Sequence, residues 1–93
     1  MVTIEFTIMN ESGLHARPAS DFVMEASSYK SDICIRNSSV SSEWVDAKSI
    51  LSILGLGVES KHKIEIKAEG EDEVEAIQNL KALLEKNINE KTK

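Results

Sequence analysis

The sequence predicts an α+β fold in which three helices cover one face of a four-stranded sheet. Four segments alternate apolar and polar residues with a period of two, which is typical of strands buried on one face only. Two segments carry apolar residues at helical spacing, and a third is a short apolar run closed by glycine. In chain order the seven segments read βαββαβα. Because each predicted strand has one polar face, helices can cover only one side of the sheet, which gives an open-faced, two-layer sandwich.

The strand predictions come from four short stretches. "VTIEFTIM", "DICIR" and "HKIEIKA" alternate, and "EWVDA" is expected to pair back onto "DICIR" as a hairpin after the polar turn "NSSVSS". The residues predicted to face the core are Ile4, Phe6, Ile8, Ile33, Ile35, Val45, Ala47, Ile64, Ile66 and Ala68.

Three helices are predicted between and after these strands. The first runs from Ala16 to about Ser28, and the second is the brief segment "SILSILG" with Gly55 as its C-cap. The third begins with acidic residues, which favour the positive end of a helix dipole. The apolar stripes consist of Ala19, Phe22, Val23 and Ala26 in the first helix and of Val74, Ile77, Leu80, Leu84 and Ile88 in the third.

Length, composition, net charge and cysteine count exclude several classes of protein. Ninety-three residues suffice for a single domain, residues 1–93, and the composition is that of a globular chain. A net charge of −5 argues against nonspecific nucleic-acid binding. The lone cysteine, Cys34, excludes an internal disulfide and a cysteine-based zinc site. With no membrane-spanning run and no signal-peptide pattern, we expect a cytoplasmic protein without membrane insertion.

The candidate reactive residues lie in "SGLHARPAS", residues 12–20. This stretch places a histidine where a helix is predicted to begin. First-turn amides have no helical acceptor, so together with the helix dipole they can bind an anion, and proline is tolerated there. Arg17 adds a guanidinium suited to phosphate oxygens. The imidazole of His15, with an ordinary pKa of ~6.5, is mostly neutral at neutral pH and can act as a nucleophile. The alternative is that His15 only caps the helix and Arg17 is merely solvated.

The same stretch resembles the active-site loop of HPr, the histidine-containing phosphocarrier protein of the bacterial sugar phosphotransferase system. "KSILSILGLGV", residues 48–58, resembles the second signature of that family, which begins at its regulatory serine. "IEIKAEGEDEVEAIQNLKALLE" is similar to its closing strand, turn and helix. The resemblance covers nearly the whole chain in the right order, and the first motif is highly specific.

The resemblance implies a phosphocarrier rather than an enzyme. His15 would accept a phosphoryl group on Nδ1 from Enzyme I and pass it to sugar-permease A-domains. Arg17 would stabilise the phosphorylated state, with the backbone amides of Ala16 and Arg17 donating to the phosphoryl oxygens. The implied sheet is antiparallel, in the order 1-4-2-3, and no metal or other cofactor is needed.

Further roles follow from the resemblance at the second signature. Ser49 aligns with the serine that HPr kinase/phosphorylase modifies. A serine N-cap is also favoured at a helix start for its hydrogen bond alone, and the two roles are compatible. We expect phospho-Ser49 to slow phosphorylation of His15 and to favour binding to a catabolite-control transcription factor. The residues expected to dock partners around His15 are Leu14, Ile50, Leu51 and Leu54, of which at least one could instead belong to the core.

Several residues depart from the family pattern or have no role in it. Asp21 could pair with Arg17 one turn away, or could simply be solvated. The turn "RNSSVSSEW" is longer than the family's tight glycine turn. Trp44, on the open face, either packs across the hairpin onto the Arg36 stem or marks a partner contact. Cys34 is predicted to be an incidental surface thiol and His62 a surface histidine.

Two other functions compete with the sugar phosphocarrier. One is a regulatory binding module of the same fold that works mainly through phospho-Ser49, which the presence of His15 makes the weaker alternative. The other is a carrier for a paralogous or non-sugar phosphotransferase branch, which the unusual hairpin and Asp21 leave open.

Overall fold

The computed structural model describes residues 1–9, 11–14 and 16–87. Its elements follow the predicted order, with one addition, a single 3-10 turn at Ser38–Val40 within the long β2–β3 connection. The strands and helices are β1 (Val2–Thr7), α1 (Ala16–Ser27), β2 (Asp32–Asn37), β3 (Val45–Asp46), α2 (Ile50–Leu54), β4 (Lys63–Glu69) and α3 (Glu73–Asn87).

The four strands form one antiparallel sheet in the order β1-β4-β2-β3, as expected. β4 lies in the middle, where Ile66 is level with Ile4 of β1 on one side and with Ile35 of β2 on the other. β3 is only two residues long and pairs Val45 with Ile35. The inward positions of the three longer strands thus converge on one apolar layer beneath the helices.

The core lies between this layer and the helices, and most of the predicted inward residues are buried in it. Ile64, Ile66 and Ala68 are completely buried, as are Phe22 and Leu80 from the helical layer. This confirms the open-faced α+β sandwich. It also explains why the polar faces of the strands remain on the outside of the sheet.

The apolar stripe predicted for α3 was wrong at its first member. Val74 is 55% exposed, whereas α3 buries Ala76, Ile77, Leu80 and Leu84. At 3.6 residues per turn, Val74 lies about 100° around the helix from the centre of that buried stripe. Ile88, the last predicted member, lies outside the described residues.

The start of α3 is tied to the connection between α1 and β2. The Asp72 carboxylate accepts hydrogen bonds from the Lys30 and Ser31 backbone N–H groups, both at 2.9 Å, and from the Ser31 hydroxyl at 2.5 Å. At Gly70, φ is +154°, and a Cβ there would lie 2.7 Å from the Cα of Ser31. Glycine at position 70 therefore lets the two turns approach closely enough for Asp72 to bridge them.

The helices α1, α2 and α3 are 12, 5 and 15 residues long. None of those within residues 1–9, 11–14 and 16–87 combines the length and apolarity needed to cross a bilayer.

Candidate functional site

The "SGLHARPAS" motif covers the turn before α1 and the first turns of that helix. His15 itself lies outside the described residues, so the site is defined by its neighbours. Leu14 is buried in the core at 5% exposure, whereas Ala16 and Arg17 are exposed. The chain therefore passes from the core to the surface across the position that the histidine occupies in the sequence.

The first turn of α1 provides positive potential at this surface. α1 begins at Ala16, so the N–H groups of Ala16 and Arg17 precede the first intrahelical hydrogen bonds. Pro18 is buried in the same turn, where its missing N–H costs nothing. No acidic residue lies in this turn, and the Arg17 side chain is exposed. The helix dipole and Arg17 together favour an anion here. Asp21, one turn further on, is half-buried.

The backbone before His15 rests on the segment that precedes β4. The N–H of Leu14 donates to the Val58 carbonyl at 3.1 Å. Gly13 has φ of +67°, and a Cβ on it would overlap the Val58 carbonyl oxygen and lie 2.8 Å from the Cα of Glu59. Only glycine can therefore occupy position 13 without displacing residues 58–59.

His62 is not the surface histidine that the sequence suggested. It is half-buried, and its Nδ1 accepts from the backbone N–H of Glu59 and is 3.0 Å from Nδ2 of Asn37. Asn37 is completely buried at the end of β2. The prediction failed because Asn37 is 25 residues away from His62 in the chain, and nothing local in the sequence marks such a pair.

The four residues expected to dock partners divide between the core and the surface. Leu14 belongs to the core, because its backbone is held by Val58 and its side chain points inward; it offers almost no docking surface. Ile50 is half-buried against the core. Leu51 and Leu54 are 78% and 39% exposed. In α2, the residue turned fully inward is Ile53.

Ser49 occupies the N-cap of α2. Its backbone is extended, and its hydroxyl accepts from the N–H of Ser52 at 3.3 Å. The side chain is half-buried rather than enclosed. The position is therefore a capped helix start that remains open to solvent on one side.

The open face of the sheet carries a cluster around Trp44. The Lys67 ammonium lies 4.3 Å from the centre of the indole, and the Arg36 guanidinium lies 5.3 Å from it. Arg36 also pairs with Glu65 at 2.5 Å. Trp44 thus packs across the hairpin toward Arg36, one of the two predicted arrangements, and its nearer cation, Lys67, was not anticipated. The neighbouring Cys34 is a half-buried free thiol rather than a surface one.

Comparison with known families accounts for almost all of the chain. The family model described as "PTS HPr component phosphorylation site" matches residues 2–86. The chain belongs to the HPr family. Members of this family are phosphocarrier proteins of the phosphotransferase system, phosphorylated on histidine, and are not catalysts.

Individual HPr proteins agree with this assignment. The chain is 40% identical over 89 residues to the phosphocarrier protein HPr of Mycoplasma pneumoniae, covering 94% of this chain and 97% of that one. It is 47% identical over 75 residues to the multiphosphoryl transfer protein of Haemophilus influenzae; the match covers 81% of this chain but only 15% of that protein. The crystal structure of HPr-C-His from Thermoanaerobacter tengcongensis superimposes with a TM-score of 0.88 at 40% identity, covering 99% of this chain and 100% of that chain.

Proposed function

We propose that this protein accepts a phosphoryl group on His15 from Enzyme I and passes it to the A-domains of sugar permeases. The observation that carries the proposal is the transition from buried Leu14 to the exposed first turn of α1 at Ala16 and Arg17, directly around the histidine of the family's motif. Relatives named as phosphocarriers and multiphosphoryl transfer proteins support partners within the phosphotransferase system.

The proposed transfer needs no further reactant. The Nδ1 lone pair of neutral His15 attacks the phosphorus, and a P–N bond forms while the P–N bond to the donor imidazole breaks. The donor nitrogen keeps the electron pair of the broken bond. The Ala16 and Arg17 amides and the Arg17 guanidinium stabilise the oxygens of the phosphoryl group, because such transfer depends mainly on positioning and charge.

The test uses both histidines of the chain. Wild type, His15→Ala and His62→Asn are incubated with Enzyme I and phosphoenolpyruvate and analysed by intact-mass and fragment mass spectrometry. Wild type and His62→Asn should each gain one acid-labile phosphoryl group on His15, and His15→Ala should gain none. An unmodified His15 in wild type, or modification of His15→Ala, would contradict the proposal.

Ser49 is the proposed regulatory position, modified by HPr kinase/phosphorylase. Its hydroxyl is half-buried at the N-cap of α2, where the helix dipole tolerates a phosphate. The added negative charge would adjoin the exposed Leu51 and Leu54 of the proposed docking surface and oppose binding of Enzyme I. It would favour binding to a catabolite-control transcription factor.

Two variants of Ser49 distinguish the effect of a negative charge from the effect of the helix cap. Both Ser49→Asp and Ser49→Asn retain an N-cap side chain, and only the first adds a charge. Ser49→Asp should accept phosphate from Enzyme I severalfold more slowly than Ser49→Asn. Equal rates for the two variants would exclude inhibition by charge at this position.

A further inference from the structure

We propose that His62, together with Asn37, is a positioning residue for the backbone that precedes the phosphoacceptor. The proposal rests on the function proposed for His15 and assigns a role to two residues that do not belong to its motif. Its basis is a chain of hydrogen bonds from the β2–β3 connection, through the His62 ring, to residues 58–59 beneath Gly13 and Leu14.

The hydrogen bonds of the His62 ring define its tautomer. The backbone N–H of Glu59 can only donate, so the Nδ1 atom that it meets at 3.0 Å must be an acceptor. The ring proton is therefore on Nε2. The Asn37 amide turns its Nδ2 toward the same Nδ1, because its Oδ1 accepts from the N–H of Ser39 at 3.1 Å. Two donors from separate parts of the chain thus share one acceptor.

Hydrogen bonds and close contacts connect His62 with the residues that precede His15. Glu59, whose N–H is held by the ring, is the residue whose Cα lies against Gly13. The preceding carbonyl, that of Val58, accepts the Leu14 N–H. The His62 backbone carbonyl in turn accepts from the N–H of Ile8 at 2.9 Å. His62 therefore binds Ile8 directly through its backbone carbonyl, and its ring holds the Val58–Glu59 peptide group that accepts the Leu14 N–H.

The His62 side chain matters because a buried amide and a backbone N–H both depend on it. Asn37 is completely buried, and among the described residues its Nδ2 meets one further acceptor, the Leu56 carbonyl at 3.4 Å. Loss of the Nδ1 acceptor would take the Glu59 N–H from its partner and leave the Nδ2 group of buried Asn37 with the long bond to the Leu56 carbonyl, and a poorly satisfied donor on a buried side chain is costly. Rearrangement of residues 58–59 would follow, and Leu14 would lose its fixed acceptor.

The β2–β3 connection contributes to the same support. The Ser39 hydroxyl accepts from the Lys63 N–H at 2.8 Å, and the Ser38 hydroxyl donates to the Lys63 carbonyl at 3.1 Å. The 3-10 turn is thereby joined to the residue after His62. The lengthened β2–β3 turn therefore helps to fix the position of His62, which in turn holds the residues beneath Gly13 and Leu14.

The experiment compares His62→Leu with His62→Asn in the full chain. The Oδ1 atom of asparagine branches from Cγ as Nδ1 of histidine does, so His62→Asn keeps the acceptor that His62→Leu removes. Amide hydrogen exchange of Leu14 is measured by NMR, with the Ile35 amide in β2 as the reference for global opening. His62→Ala, which removes the acceptor without adding bulk, is the second variant should His62→Leu fail to fold.

We expect Leu14 to exchange about tenfold faster in His62→Leu, relative to Ile35, and at the wild-type rate in His62→Asn. Phosphorylation of His15 by Enzyme I should slow severalfold in His62→Leu and recover in His62→Asn. Unchanged Leu14 exchange in His62→Leu, or equal behaviour of both variants, would overturn the proposal. Since the exchange is measured on unphosphorylated protein, this outcome is distinct from failure of wild type to accept phosphate.

Discussion

Gly13 lies so close to Glu59 that a Cβ on the glycine would sit 2.8 Å from the Cα of Glu59. Gly13 also has φ of +67°, in the left-handed region. The contact holds the turn before His15 against the residues before β4. Two separate penalties, backbone strain and overlap, therefore oppose any side chain at position 13.

We expect Gly13→Ala to lower the free energy of unfolding by more than about 2 kcal/mol, the sum of these penalties. Gly57→Ala is the matched control, because Gly57 has φ of +61° with nothing within 4 Å of its Cβ position. That variant should lose about 1–2 kcal/mol, since only strain applies. Urea unfolding of both variants measures the difference, and equal losses would show that overlap with residues 58–59 is unimportant.

The Asp72 carboxyl group is expected to make the free energy of unfolding depend on pH in the acidic range. The Ser31 hydroxyl, followed by the Lys30 backbone N–H, lowers the pKa of its carboxyl group below the ordinary value. A depressed folded-state pKa stabilises the fold above the unfolded pKa, and this contribution disappears as pH falls through the folded pKa.

The stability lost in Asp72→Asn should therefore be greatest near neutral pH. It should shrink as pH falls below the ordinary carboxyl value of about 3.9, toward the lower folded-state pKa. Denaturant unfolding of wild type and variant across this range measures it. Asp32→Asn removes one negative charge from an exposed position on β2 and is the control. A stability difference for Asp72→Asn that stays constant with pH would contradict the assignment.

The Lys67–Trp44 contact should be measurable as a coupling energy. An ammonium over an indole at a partly exposed site contributes about 0.5–1 kcal/mol. A double-mutant cycle with Trp44→Leu and Lys67→Met, analysed by urea unfolding, should give a coupling of that size. Lys63 lies four residues, or about 13 Å, further along β4, so Lys63→Met and Trp44→Leu should be additive. Additivity in both cycles would mean that the cation contributes nothing.

Leu51 should affect partner binding without affecting the fold. Because its side chain is 78% exposed, Leu51→Ser should leave the melting temperature unchanged while raising the KM for phosphorylation by Enzyme I severalfold. Val74→Ser is the matched control, since Val74 is an exposed apolar residue on α3. Similar KM values for the two variants would show that Leu51 does not belong to the proposed docking surface.

Periodicity predicted the layers of this fold because burial on one face of a strand is a local pattern. Ile64, Ile66 and Ala68 show this directly. At the margin of a helical stripe the same argument is weaker, as exposed Val74 shows. Leu14 lies in a turn, where no period exists to distinguish core from surface. The Asn37–His62 pair joins chain segments that only the completed sheet brings together, and the sequence contains no signal for it.

The strand order has a consequence for synthesis on the ribosome. β1 is the first of the four strands to leave the exit tunnel, yet the strand that pairs with it in the described sheet is β4, some sixty residues later. α1 and the β2–β3 hairpin can begin to form during translation. β1 has no strand to pair with until β4 is synthesised, so its apolar face stays uncovered until then. The nascent chain therefore completes its sheet late and nearly in one event, when β4 emerges and inserts between β1 and β2.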